Sequence, residues 1–370
     1  MPTRVLILPR HDVQAAGCRY RYTQFIPYLA ECGFECTVAP FFDAEYTRAL
    51  LGDGRKAWWR LGMCLARRIQ DLVGARRYDL VVVRTELVPY LLPALEAVLI
   101  RLGVPYVFDF DDAFFHQYDQ HRLRLVRWVF QSKIPNLIRK ASLNIAGSRY
   151  LADYASRFSA RVAIVPTVID LTRYPPSPVR NDPDVFRIGW IGSPSTTDHL
   201  RAIIPELREF CRVRRAEVVA IGAKPFDPDG TPIRWVRWSE ASEVVELSRT
   251  DVGIMPLPET PWAAGKCGLK LIQAMGCWRP VVASPIGANC QIVEHGITGL
   301  HAEAGGWTRA LQRLYEDDDL RQRLGSAARR RVEQEYSLQV WAPRVAKLWT
   351  QAASGDSPGN SQRTPQGAIT

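Results

Sequence analysis

The stretch DVGIMPLPETPWAAGKCGLKLIQAMG, residues 251–276, reads as a strand, a loop and a helix in that order. DVGIMPL (251–257) is a short apolar run stopped by prolines, the pattern of a buried strand. The helix begins near Gly268 and carries a short amphipathic pattern to Gly276. Gly265 and Gly268 bracket Lys266, and no acid occurs from Gly265 to Gly276. Glycines let a ligand approach the main chain. A helix start exposes unpaired N–H groups and a partial positive charge, to which Lys266 adds a full one. An anion fits such a place, a diphosphate best, and an acid there would repel it.

The strand-then-helix rhythm extends in both directions. Upstream, apolar runs at 4–9, 34–40, 78–84, 105–112, 142–148 and 161–169 read as strands, with helical patterns at 20–33, 58–77, 87–103 and 149–157. A further series of strands falls at 186–193, 216–223, 233–238, 251–257, 280–284 and 299–302. Helical patterns accompany it at 197–214, 240–248, 305–314, 318–335 and 337–350. Such alternation implies parallel sheets covered on both faces. Between the series lies DLTRYPPSPVRNDPD (170–184), with prolines at 175, 176, 178 and 183 and no periodicity, which reads as a linker. The expected organisation is a first domain over 1–169, the linker at 170–184 and a second domain over 185–336. A closing helix at 337–350 and a disordered polar tail at 351–370 follow. Two α/β halves suggest a cleft, with ligands at the carboxyl ends of the strands.

Composition bounds the class. The 370 residues, 47% hydrophobic and 23% charged, describe a globular chain with room for two domains. No run approaches the roughly 18 apolar residues of a membrane span, and MPTRVLILPRHD reads as a first strand and not a signal peptide. Eight scattered cysteines, without CxxC or zinc-type spacing, suit a reduced cytoplasmic setting. The net charge of +10 is informative in its placement. Segments 55–70 and 121–140 interleave bases with Trp and Leu. As helices they suit an anionic bilayer surface, a nucleic-acid backbone, or plain solvated faces.

Three further constellations fall where the cleft is expected. GWIGSPSTTDHL places Gly192, Ser193 and Thr196 at a strand-to-helix turn, where hydroxyls either cap the helix or bind phosphate. RHDVQAAGCRYR puts Gly17 beside Arg19 and Arg21, which could reach a phosphate or acceptor across the cleft, or pair on the surface. DFDD ends a strand, with Asp109 and Asp111 on one side and Asp112 leaving it. Its DxD spacing invites a divalent metal. The plainer readings are a helix cap or an arginine partner, and the functional one has Asp111 or Asp112 orienting the acceptor hydroxyl or a sugar. A P-loop and a dinucleotide GxGxxG after the first strand are both missing.

The ordered series GWIGSPST, DVGIMPLP, GLKLIQAMG, PVVAS and IVEHGITGL, with the placement of Gly17, resembles the retaining nucleotide-sugar glycosyltransferases of family 4. The resemblance runs from residue 1 to about 348 and is most specific over 186–300. It implies the GT-B fold, two Rossmann-like domains facing a cleft, with a C-terminal helix crossing back to the first domain. The second domain would bind the donor through Gly192, Ser193, Thr196, Gly265, Lys266, Cys267, Gly268, Leu269 and Gln273. Gly17, Arg19, Arg21 and Asp109 would line the cleft on the acceptor side, and Asp111, Asp112 and Lys266 would serve catalysis. No metal or other cofactor is implied. The family's two glutamates, seven residues apart around the donor, are here Gly265 and Gln273. Gln273 can still bond a ribose diol, though without charge assistance, and Gly265 offers no side chain. A subgroup with its own donor geometry is the preferred explanation.

The expected activity is transfer of a hexosyl-type group to a glycan or lipid-linked acceptor, in bacterial-type surface polysaccharide or glycolipid synthesis. The expected setting is cytoplasmic, with peripheral contact at the inner face of the cell membrane and no nucleic-acid partner. Rival readings are a nucleotide-sugar epimerase of the same fold, a catalytically silent nucleotide-binding homologue, and a nucleic-acid binder using the arginine-rich helices.

Overall fold

Six parallel strands form the first sheet, in the order β2-β1-β3-β4-β5-β6. They are β1 (Thr3–Leu8), β2 (Phe34–Val38), β3 (Leu80–Arg84), β4 (Tyr106–Phe110), β5 (Leu143–Ala146) and β6 (Val162–Ile164). The second sheet is also six parallel strands, ordered β12-β11-β10-β7-β8-β9. Its strands are β7 (Phe186–Ile191), β8 (Ala216–Ile221), β9 (Ile233–Val236), β10 (Val252–Met255), β11 (Val281–Ala283) and β12 (Gly299–His301). This computed structural model describes residues 1–46, 58–91, 93–179 and 184–355. Residues 55–57 of the first basic segment, 180–183 of the linker and 356–370 of the tail lie outside the described residues.

Alternation within the strands builds two buried faces per sheet. Leu6, Leu8, Val81, Val83, Phe108 and Phe110 fill one side of the first sheet. Val5, Ile7, Leu80, Val82 and Val107 fill the other, against Leu338, Ala342, Val345 and Trp349 of the last helix, Leu338–Ser354. That helix does return to the first lobe, as expected. Each buried Leu, Val or Ile contributes about 1.5–3 kcal/mol, enough to make the crossing a fixed part of the fold. In the second sheet, Ile188, Trp190, Val218 and Ile254 face one layer and Ile191, Val219, Ile221 and Met255 the other.

All twelve expected strands form, a residue or more shorter at most ends. The helices depart more from expectation. Helix 87–103 shrinks to Ala94–Leu102, because Pro89 and Pro93 interrupt it and Tyr90 sits at φ 55°. Helix 20–33 breaks at Tyr22, whose ψ of −60° comes with φ −132°. Segment 121–140 forms two helices, Arg124–Phe130 and Lys133–Lys140. Among the described residues, no helix is long and apolar enough to cross a membrane.

Strand order locates the ligand site. β1 has β2 on one side and β3 on the other, and β7 has β8 and β10. The chain therefore reverses direction of winding beside β1 and β7, where the loops diverge and leave a crevice. Gly17 follows β1, and Gly192 follows β7 directly.

Candidate active site

The second lobe builds a cationic seat at its switch point. After β7, the Thr196 hydroxyl donates to the Ser193 carbonyl at 3.0 Å and accepts from the Ser193 N–H at 3.2 Å. Thr196 thus closes its own turn, the capping role weighed for this stretch. Its remaining acceptor position takes a third bond, from Lys270 Nζ at 3.2 Å. The Lys270 ammonium lies 4.2 Å from the Trp190 ring centre, and a Cβ on Gly192 would come within 2.7 Å of it. Glycine at 192 therefore makes room for a lysine. Among the described residues no carboxylate is within ion-pairing distance of Lys270. Burial, then repulsion from Lys266, brings its pKa down from 10.5 to about 7. Half-buried His199 is lowered to about 4, chiefly by burial and then by Lys270 and Lys266.

The helix Leu269–Gly276 points its start into this region. Gly268 caps it at φ 67° without a side-chain bond, and a Cβ there would collide with Ile292. The Gly268 carbonyl takes the Leu271 N–H at 2.9 Å, and the N–H groups of Leu269 and Lys270 gain no side-chain cap from it, leaving these two as donors for an anion. Leu269 opens the first turn, and its side chain packs partly buried on the second lobe's core.

Facing this seat, the first lobe contributes a row of acids, each held by a base. Asp109 is buried and ion-paired with Arg21, whose Nη1 also donates to the Val165 carbonyl at 2.7 Å. Asp111 accepts from Arg84 at 2.7 Å. Burial would raise its carboxyl, but Arg84 and then Arg21 outweigh that and hold it below the usual range. Asp112 accepts from Lys266, across the cleft, at 2.8 Å. Burial raises the Asp112 carboxyl, Lys266 opposes this, and repulsion from Asp111 adds to the rise. Two adjacent acids are thus pushed in opposite directions, the arrangement that separates acid–base roles.

Close main-chain approach explains two glycines. A Cβ on Gly265 would collide with Ala113, whose nitrogen would lie 2.9 Å away. A Cβ on Gly17 would enter the Arg84 guanidinium, with Nη1 2.7 Å away. Cys267 is buried against Gly147 of the first lobe, where a Cβ would stand 2.6 Å from its sulfur. Burial lifts its thiol well above the ordinary value, so it is a packing group in this setting.

A second inter-lobe contact involves residues expected elsewhere. Gln273 Nε2 donates to the Tyr20 hydroxyl at 2.9 Å, and Tyr20 donates to Glu243 Oε1 at 2.7 Å. Glu243 also accepts from Trp238 Nε1 at 2.8 Å. Arg19 stacks between Tyr20 and Trp238, 5.0 and 4.9 Å from their ring centres, near Glu240 and Glu243. Arg19 therefore joins the lobes through Glu240 and Glu243, Gln273 joins them through the Tyr20 hydroxyl, and Arg21 braces the first lobe internally.

Gly265, Lys266, Cys267, Asp112 and Ala113 are thus brought together, as are Gly192, Thr196 and Lys270. Sequence reasoning missed Lys270, Arg84, Tyr20 and Glu243. Lys270 had a legible signal: helical spacing puts residue 270 in the first turn beyond Gly268, beside the anion seat. Arg84, the last residue of a buried strand, was likewise visible as a charge needing a partner. Glu243 was not, because its partner Tyr20 is distant in sequence.

Comparison with known proteins agrees with this architecture. Residues 21–173 match the family described as Glycosyltransferase Family 4, and residues 185–317 match Glycosyl transferases group 1. Sucrose-phosphate synthase from Thermosynechococcus elongatus is similar over 96% of this chain and 100% of its own, at 14% identity and a TM-score of 0.71. The Anabaena protein HepE, solved with UDP and glucose, covers 94% of this chain and 100% of its own at 16% identity and a TM-score of 0.72. N-acetyl-alpha-D-glucosaminyl L-malate synthase of Bacillus anthracis is 33% identical over 96 residues, 25% of either chain, so the match spans a quarter of that relative's length. Two facing lobes with parallel sheets and a returning helix define a GT-B architecture. The chain belongs to the family 4, group 1 type of glycosyltransferases.

Proposed function

We propose that this protein transfers a sugar, with retention at the anomeric carbon, from a nucleotide diphosphate-sugar to a hydroxyl of a glycan or lipid-linked acceptor. The observation that carries the reading is Lys270: a partly buried ammonium without a carboxylate, set between the β7 turn and a helix start. Such a charge is costly in the free protein and is compensated when an anion arrives. The diphosphate would take the amides at Gly268–Lys270 and the Lys270 ammonium, which stabilise the negative charge that builds up as the sugar leaves. Asp112, with its raised carboxyl, is placed to orient the incoming hydroxyl or a sugar hydroxyl beside Lys266. Asp109, Asp111 and Asp112 are each engaged by a base, which supports a lysine-and-amide grip on the diphosphate in preference to a metal held by the DxD acids.

A thermal-shift screen of nucleoside diphosphates tests the reading, beginning with UDP because HepE was solved with it. One base should stabilise the protein by several degrees and the others by little. Stabilisation by none of them would remove the donor assignment. Donor consumption that rises with acceptor supports transfer; donor interconversion without acceptor would point to an epimerase instead.

A further inference from the structure

The helix Arg124–Phe130 has no buried residue. It leans on the first lobe through Val126 and Phe130, with Phe130 stacked on Tyr118. Its opposite face, one turn apart, presents Leu125 and Trp128, 69% and 72% exposed, and Leu123 just before it is 54% exposed. Adjacent large apolar side chains left this open are unusual on a surface helix, whose outer face is ordinarily polar. The residues beside them in the chain include two exposed bases, Arg122 and Arg124. No Asp or Glu occurs between Asp119 and Asp153. Among the described residues neither of these two bases pairs with an acid.

We propose that this face docks on an anionic lipid bilayer, with Leu123, Leu125 and Trp128 entering the interface and the flanking bases meeting headgroup phosphates. The two components fit one occupant. Bases alone would suit a nucleic-acid backbone, but three protruding apolar side chains find no counterpart along phosphates. A bilayer interface offers hydrocarbon and anionic headgroups side by side, and tryptophan favours that depth. The helix is also close to the cleft in the chain, following the Asp112 loop with the short helix His116–Asp119 between. Docking here would bring the first lobe's side of the cleft toward the membrane. The inference stands on the surface itself and does not depend on the donor reading.

Vesicle flotation with the full chain tests it, using phosphatidylcholine alone or with one-third phosphatidylglycerol. At low salt the protein should float with the anionic vesicles and not the neutral ones, and high salt should release it. Arg122→Glu and Arg124→Glu should each weaken partitioning on the order of fivefold or more. Leu125→Ser with Trp128→Ser should weaken it about tenfold, with unchanged melting because both sites are exposed. The proposal is overturned if the wild type ignores anionic vesicles, or if the variants float as well as it does. It is equally overturned if the serine variant turns a dimer into a monomer by light scattering, or if the glutamate variants lose oligonucleotide binding and keep vesicle binding.

Discussion

Lys270→Met should make the ligand-free protein more stable and its nucleoside diphosphate complex much weaker. The ammonium meets one hydroxyl, Thr196 at 3.2 Å, and one ring face, Trp190 at 4.2 Å. Its pKa is lowered from 10.5 to about 7, by burial first and Lys266 second. At about 1.4 kcal/mol per unit, that drop caps the cost of the charge at roughly 5 kcal/mol. The side chain retains some contact with water, so screening reduces the cost to about 1–2 kcal/mol. The sign follows from linkage. Below about pH 7 the lysine is charged in both folded and unfolded chains, and the whole cost is present. Between about 7 and 10.5 the folded state has shed a proton that the unfolded state keeps, so stability climbs with pH. Methionine is of similar length and removes the charge, so the ligand-free melting temperature at neutral pH should rise by roughly 2–6 °C.

Ligand binding reverses the effect. A diphosphate against Lys270 restores the charged form, so binding above about pH 7 takes up a proton and weakens by up to about tenfold per unit. Losing a charge-assisted bond costs about 1.5–3 kcal/mol, or roughly ten- to a hundredfold in affinity. Scanning fluorimetry of wild type and variant, with and without the best nucleoside diphosphate, reads both effects. Calorimetry in buffers of different ionisation enthalpy counts the proton. A variant that melts lower than wild type and keeps its ligand shift would refute the reasoning, because Lys270 would then be a structural residue.

Three other perturbations probe the surroundings of the site. Gly17→Ala should drive a methyl into the Arg84 guanidinium, break its 2.7 Å bond to Asp111 and cost about 2–4 kcal/mol in urea unfolding; an unchanged midpoint would show that Arg84 yields freely. Tyr20→Phe removes the hydroxyl joining Gln273 to Glu243 and should cost about 1–2 kcal/mol while leaving diphosphate binding intact; lost binding would mean that this contact shapes the donor site. Asp112→Asn frees Lys266 and should tighten diphosphate binding while lowering the transfer rate by about tenfold or more. In the wild type, transfer should fall off on the acid side at a pH above the ordinary carboxylate range, since Asp112 must be ionised to accept the hydrogen bond of the hydroxyl it orients and its carboxyl is raised. Full activity of the asparagine enzyme would remove Asp112 from the chemistry.

The fold was legible because buried parallel strands announce themselves. Runs such as YDLVVVR and DVGIMPL are apolar on both faces, as a strand buried inside a parallel sheet requires. Helix limits were less legible where proline or an unusual dihedral intervenes, as at Tyr22 and Tyr90. At the site, local geometry could be read and partnership could not. The glycine turns at Gly192 and Gly268 lie where expected, and so does the helix start that follows Gly268. Lys266 was assigned to the diphosphate from its position beside Gly265, yet it is held by Asp112, and Lys270 is the lysine without an acid. Nothing local in the sequence separates the two, because the difference lies in what the opposite lobe brings.

That opposite lobe also bears on the acid missing at position 265. A side chain there would strike Ala113, so glycine is required in this arrangement of the lobes. The residue preceding Ala113 is Asp112, whose carboxylate reaches Lys266, the residue following Gly265. The space beside the loop therefore does contain a carboxylate, delivered by the end of β4 and not by the loop. An acid on the loop would stay beside the anion seat whether the lobes are together or apart. An acid carried by the first lobe would withdraw with that lobe in an opened cleft, so under the proposed function a diphosphate would enter there against less repulsion. Glycine at 265 and aspartate at 112 are then two halves of one arrangement, and altering either alone should impair transfer more than it impairs folding.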